Sequence, residues 1–491
     1  MAALVICLHF GVDILLQNRT YMVERKEGNM NGWEIPNPFI NEAGVSIRTR
    51  EEWQEQREYL KKILAEDLYG VMPPAPGNVK AEKISSKSIW DGKALFEVYD
   101  LSFGPDHSVH EKTAFITAAS NKQASNEGYS AETGRKDEKQ GYTAEAENKD
   151  EKPDKKPIPI ILCGGFVDEK IAQLAVSRGF CIATPLIDDA APDEADYKKG
   201  TLYKAYPEYS WKAIAMWGWL LSRVIDWIKT REEVDQDHVI VAGHSRFGKA
   251  ALACGVFDER VDVCTAAGSG CGGMGSLRIA GGRYGEGIGA VETIGKMTGE
   301  MFPHWFMDSL ADFGADVMSE HNRENELRFD ANFIGSAIAP RSLLILEGLD
   351  DTWANPYGTM TSWNAVAEVY RFLGIEDKCA IHFREGGHAF NLEDWEIMLD
   401  FCKVQLQGTK PAAVWHTRSY GEPRMHRNWS APGMPEEPPV DNFFSPDPER
   451  IQAMKDTLNS RWAFAEAGLE TGMDRFLKWM IQQAESKYTN T

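Results

Sequence analysis

The run VIVAGHSRFGKAAL at 239–252 holds Ser245, the residue best placed for covalent chemistry. An apolar, strand-like stretch leads into Gly-His-Ser-Arg-Phe-Gly and then straight into a helix-forming stretch. A sharp strand-to-helix turn lifts the hydroxyl above the sheet, and the helix N-terminus beside it favours the negative charge that grows when a carbonyl is attacked. The common pattern has glycine two positions after the serine. Here Phe247 stands there and the glycine follows at Gly248. A bare Gly-x-Ser match is weak, and the strand–turn–helix setting carries the reading. A serine also needs a base. KCAIHFREGGHAF puts His388 in a glycine-rich loop after a strand-like run and before a helical one. A carboxylate must then orient the imidazole. RSLLILEGLDDTWANP offers Asp350 and Asp351 just past a strand end; position barely separates them, and either could instead cap the following helix. The backbone N–H of Arg246 is one expected oxyanion donor. The turn at Gly164 to Phe166 is a candidate for the second, equally readable as a plain tight turn.

The elements that must carry these residues alternate in type. PIPIILCGGF, GFCIATPL, DHVIVAG, VDVCTAAG, RSLLILEG and KCAIHFR read as strands. EKIAQLAVSRG, SWKAIAMWGWLLSRVIDWIKT, RFGKAALACGVF, NPYGTMTSWNAVAEVYRFLG and EDWEIMLDFCKVQL read as helices. Such alternation predicts a mostly parallel central sheet with helices on both faces, and the chain order Ser, Asp, His is that of the α/β-hydrolases. Ahead of this lie an amphipathic helix over 50–68 and two β-like runs, SIWDGKALFEVYDLSF and EKTAFITAAS, suited to an antiparallel sheet edge. Residues from about 121 to 156 are polar, nearly free of aliphatic side chains, and read as a solvated insertion. The expected division is an N-terminal extension at 1–34, an α/β-hydrolase domain at 35–407, and a C-terminal extension at 408–491 with a proline-rich linker and a helix.

Composition bounds the partners. The chain has 491 residues, 43% of them hydrophobic, and a formal net charge of −21. Such acidity repels phosphate backbones, which disfavours nucleic acid. No apolar stretch reaches the ~18 residues of a membrane span. The eight cysteines form no C-x-x-C pair and no zinc spacing, so they read as buried thiols, with no metal site. The opening MAALVICLHFGVDILLQ is interrupted by His9 and Asp13 and has no basic residue ahead of it, unlike a secretory signal. These features together favour a cytoplasmic protein over a secreted one. The fifteen tryptophans read mainly as core, with carbohydrate stacking as the alternative.

Taken together, GHSRFGKAAL, SGCGG, FPHWF, IAPRSLLI, DDTWANP and the late GGH resemble the glucuronoyl esterases, carbohydrate esterase family 15, over roughly residues 35–406 without the insertion. That family's elbow, G-x-S-R-x-G-K, accommodates the displaced glycine. The resemblance implies hydrolysis of an ester between the carboxylate of (4-O-methyl)glucuronic acid and an alcohol, with no cofactor. It further implies Ser245 as nucleophile, His388 as base, Arg246 as a side-chain oxyanion contact, Lys249 as a sugar-hydroxyl contact and Trp353 as a uronate contact. The family's sugar-binding glutamate falls at Glu292 or Glu300. Fungal members carry their acid immediately before the SGxGG stretch, where this chain has Gly268. The acid then falls to the site used by many bacterial members, which is Asp351. Asp330-Ala331-Asn332 also departs from the Asp-Gln-His or Asp-His-His of many relatives. An acetyl esterase acting on xylan through the same triad, and a non-catalytic carbohydrate-binding protein, are the competing expectations.

Overall fold

The structure, a computed structural model, describes residues 35–119, 157–165, 167–187, 190–279, 291–299, 301–314, 323–409, 414–416, 431–433 and 443–445. The N-terminal extension, the polar insertion and the helix expected near the C-terminus lie outside them. All described elements belong to one unit beginning at Ile35.

Runs without a polar face suit strands covered on both sides. Here they form β4 (Ile158–Gly164), β5 (Cys181–Leu186), β6 (Val234–His244), β7 (Val263–Ala267), β8 (Ser342–Gly348) and β9 (Cys379–Arg384). Their order is β5-β4-β6-β7-β8-β9, every neighbouring pair parallel. An antiparallel set, β1 (Lys80–Ile89), β2 (Ala94–Phe103) and β3 (Val109–Ala118), extends the sheet beyond β5. Beyond β9 come β11 (Phe443–Ser445) and then β10 (Val414–His416). The sheet therefore continues past residue 407, into the stretch assigned above to a separate extension.

Alternate strand residues serve two cores. Ile160, Leu162, Val239 and Val241 face a core built with α1 (Glu52–Leu64), α4 (Ala213–Ile228), α5 (Arg246–Phe257), α7 (Ala331–Ile338) and α8 (Pro356–Leu373). Ile161, Cys163, Ile240 and Ala242 face the other, with α2 (Glu169–Ser177) and α9 (Leu392–Gln407). Two further helices, α3 (Thr201–Ala205) and α6 (Ile294–Thr298), are single turns in the connections. Every residue of α4 except Asp226 is buried. Its indoles are core, and Trp217 and Trp219 satisfy their N–H groups by donating to the Ala191 and Pro73 carbonyls, each at 2.8 Å. The sequence reading of β1 reached back only to Ser88, whereas the strand starts at Lys80. All of β1 but Ile89 is exposed, so it shows no alternation to read, and its lysines at 80, 83 and 87 suit a free sheet edge.

Candidate active site

The end of β6 and the start of α5 leave Ser245 alone in the turn, with φ 57° and ψ −124°. A non-glycine residue there carries strain of about 1–3 kcal/mol. The surroundings hold it: the Ser245 N–H donates to the Ala267 carbonyl at 2.8 Å, and the chain crosses itself so closely that a Cβ on Gly243 would fall 2.2 Å from the Phe247 carbonyl oxygen. That crossing explains why Gly243 and Gly248 suffice although Phe247 replaces the usual glycine. The Gly164–Gly165 turn packs against the Phe247 ring. Phe166 lies outside the described residues.

The ends of β8 and β9 bring Asp351 and His388 together. His388 Nδ1 and Asp351 Oδ2 are 2.6 Å apart. With the carboxylate ionised, Nδ1–H donates, which leaves Nε2 as the lone-pair nitrogen. Asp351 is buried, and its other oxygen accepts from the Ala354 N–H at 3.2 Å. The adjacent aspartate does different work. Asp350 accepts from the Gly386 N–H at 3.2 Å and donates its own N–H to the Gly386 carbonyl at 3.0 Å, pinning the loop that carries His388. Neither aspartate caps α8, because Asn355 does so through the Gly358 N–H at 3.0 Å. Gly268, at the end of β7 with φ +50°, lies against the pair: a Cβ there would sit 3.1 Å from Asp351 Oδ2 and 3.3 Å from His388 Nδ1.

Arg246 emerges on the other side of Ser245. Its guanidinium is ion-paired with Asp193 and lies 5.4 Å from the centre of the Trp305 ring. Asp193 also accepts from His304 Nε2 and Trp305 Nε1, each at 2.8 Å. Burial works to raise the Asp193 pKa, but Arg246 and the two ring N–H donors outweigh it and hold the carboxyl well below its ordinary range. Sequence reasoning missed Asp193. It is one of five acidic residues between 188 and 196, and nothing local singles it out. His304 and Trp305 belong to the FPHWF motif, which gave no hint of this contact.

One turn along α5, the Lys249 ammonium lies 3.1 and 2.9 Å from the two Glu292 oxygens. Glu292 also accepts from the Cys271 N–H at 2.8 Å and donates its backbone N–H to the Trp353 carbonyl at 2.9 Å. Both charged side chains are buried, so removing either would strand the other, at a cost of about 3–5 kcal/mol. Trp353 is half-buried, with the Lys296 ammonium 5.0 Å from its ring centre. Of the two glutamates left open above, Glu292 meets Lys249, and Glu300 lies outside the described residues. Asp330 and Asn332 are taken up internally. Asp330 accepts from Ser276 Oγ at 2.9 Å and the Leu277 N–H at 2.7 Å and caps α7, while the Asn332 amide donates to the Pro36 carbonyl at 2.9 Å. Among the described residues, no group of three or more His, Cys, Asp or Glu could hold a metal ion.

A family model for fungal glucuronyl esterases matches residues 135–374. A carbohydrate esterase from an unknown prokaryotic organism is 23% identical over 429 residues, covering 81% of this chain and 94% of its own length. A 4-O-methyl-glucuronoyl methylesterase of Cerrena unicolor is 23% identical over 378 residues, covering 74% of this chain and 66% of its own length. The chain thus carries a match to the glucuronyl esterase domain and is similar to the glucuronoyl esterases of carbohydrate esterase family 15. Among solved structures, a glucuronoyl esterase of this family from Caldicellulosiruptor kristjansonii superposes with a TM-score of 0.59 at 25% identity, covering 77% of this glucuronoyl esterase homologue and 91% of that chain.

This kinship overturns the cytoplasmic expectation. Fungal and bacterial members of the family are extracellular, secreted enzymes acting on polysaccharide. The expectation leaned on the interrupted N-terminal run, which lies outside the described residues, and on cysteines that show no pairing pattern. The seven in the described residues are free and buried, and burial pushes thiols such as Cys163 and Cys264 up to about 12. A thiol sealed in a core is kept from oxidation in either compartment, so it says nothing about which one.

Proposed function

We propose that this protein is a serine carboxylester hydrolase cleaving esters of (4-O-methyl)glucuronic acid. The observation that carries the mechanism is the 2.6 Å contact between His388 and Asp351, made beside an elbow that holds Ser245 in a strained turn. His388 Nε2 takes the Ser245 proton as Oγ bonds to the ester carbonyl carbon. The oxyanion lies against the Arg246 N–H and guanidinium, the latter held by Asp193 and Trp305. Collapse of the tetrahedral intermediate breaks the bond to the alcohol, which leaves with the proton from His388. Water then attacks the acyl-enzyme, giving its proton to His388, and the uronic acid departs as Ser245 is restored. Lys249, Glu292 and Trp353 line the sugar side, where an acetyl group would need no such partners.

The test compares a benzyl glucuronate ester with acetylated xylan, using Ser245→Ala as control. Cleavage of the glucuronate ester alone is expected, with kcat falling at least about a thousandfold in the variant. Deacetylation alone would discard the uronate assignment and keep the triad. No Ser245-dependent turnover of either substrate would discard the enzyme reading.

A further inference from the structure

The mechanism leaves one titratable group beside the general base unused. His244 directly precedes Ser245, and its ring centre lies 4.3 Å from that of His388, tilted by 44°. Phe390 also stacks on His244 at 6.5 Å and 24°, and Phe390 in turn stacks on the buried Trp395 at 5.1 Å and 29°. Four rings are thus linked by successive contacts, from the buried Trp395 through Phe390 and His244 to His388. His244 Nε2 is buried without a hydrogen-bond partner among the described residues. It points toward Gly268, where a Cβ would be 3.4 Å from it. An unsatisfied buried nitrogen costs stability, so hydrogen bonding at Nε2 does not explain the imidazole here; its ring face does.

We infer that His244 is a positioning residue: it holds the His388 ring in the plane that keeps Nδ1 on Asp351 and Nε2 toward Ser245. Side-chain torsions that end in a flat ring are broad, and His388 itself is about one-third exposed. Without a neighbour on its face the ring is free to turn, and the dyad bond would come and go. Burial, and then the positive charges of His388, Arg384, Arg246 and Lys249, hold the His244 pKa well below the usual histidine range. His244 therefore stays neutral. It presents an uncharged aromatic face when His388 becomes an imidazolium, where a second cation would repel it.

The inference rests on His388 being the general base, and the test has one readout that needs no substrate. The Asp351–His388 hydrogen bond should give a far-downfield Nδ1–H proton resonance in the wild-type protein. We expect it to persist in His244→Phe, which keeps a ring, and to vanish in His244→Ala. With the benzyl glucuronate ester, His244→Ala should lower kcat about ten- to a hundredfold with KM within about twofold, the scale of a small misplacement of a reacting group. His244→Phe should stay within about threefold of wild type. Thermal melts on both variants separate this loss from unfolding. An alanine variant that keeps both the resonance and kcat overturns the inference, as does a phenylalanine variant as impaired as the alanine one. If the wild type turns over no ester, the functional reading fails, while the resonance still decides whether His244 orders the pair.

Discussion

Asp350 and Asp351 are neighbours of the same type, and only their partners tell them apart. Asp351 meets His388, so Asp351→Asn would present an amide to Nδ1 and favour the wrong tautomer. A fall in kcat of about 10³–10⁴-fold is expected, with KM little changed. Asp350 meets the Gly386 backbone instead, on the loop that carries His388. Asp350→Ala should cost about 1 kcal/mol of stability, read from denaturant melts, and reduce kcat less than tenfold. Equal kinetic losses in the two variants would contradict this division. At this scale the sequence singled out Ser245 and His388 as candidates through setting and chain order, and left the acid between two adjacent residues until the family resemblance pointed to Asp351. Asp193 and His244 were not legible. What singles them out is contact across the fold, with Arg246, His304 and Trp305 for one and with the rings of His388 and Phe390 for the other. Local spacing encodes neither.

Elements were legible wherever burial imposes a pattern. The parallel strands and long helices appear in the sequence as apolar runs and helical periods, with ends matching to a few residues. Polar-faced β1 escaped for most of its length, and β10 and β11 escaped because three-residue strands are too short to show a period. Element packing also hides charge. Glu111 on β3 is 1% exposed, and neither of its carboxyl oxygens has a hydrogen-bond partner among the described residues. Burial pushes its pKa well above the ordinary carboxylate range, against the nearby charge of Arg223 on α4. The sign follows from linkage: above the unfolded pKa of about 4.3 the unfolded chain has released a proton that the folded chain keeps. This group therefore contributes a loss of stability as pH rises from there through its folded pKa. Glu111→Gln removes that contribution, so the melting temperature of the variant relative to wild type should rise between pH 5 and pH 8. A constant difference across that range would rule the effect out.

Over the whole molecule, the proposed function would bring a net charge of −21 against glucuronoxylan whose free uronates carry the same sign. The ester at the reacting centre is uncharged, and the unreacted uronates along the chain are not. At an ionic strength of ~0.01 M the screening length is ~30 Å, and at 1 M it is ~3 Å. Added salt should therefore lower KM for a glucuronate ester borne on xylan, leave kcat unchanged, and leave KM for the benzyl ester unmoved. A salt effect of equal size on both substrates would place the charge effect inside the pocket instead. Under the proposed mechanism, the carboxylate that orients the base has more than one possible address. The imidazole of His388 is reached from the end of β8, while the backbone at the end of β7, where Gly268 stands, passes within a Cβ contact of the same nitrogen. Adjacent strands of one sheet thus offer the base two docking points for an acid. A search that compares relatives column by column and demands a carboxylate at the Gly268 position would file this protein among the dead homologues, although a carboxylate touches the imidazole from one strand away.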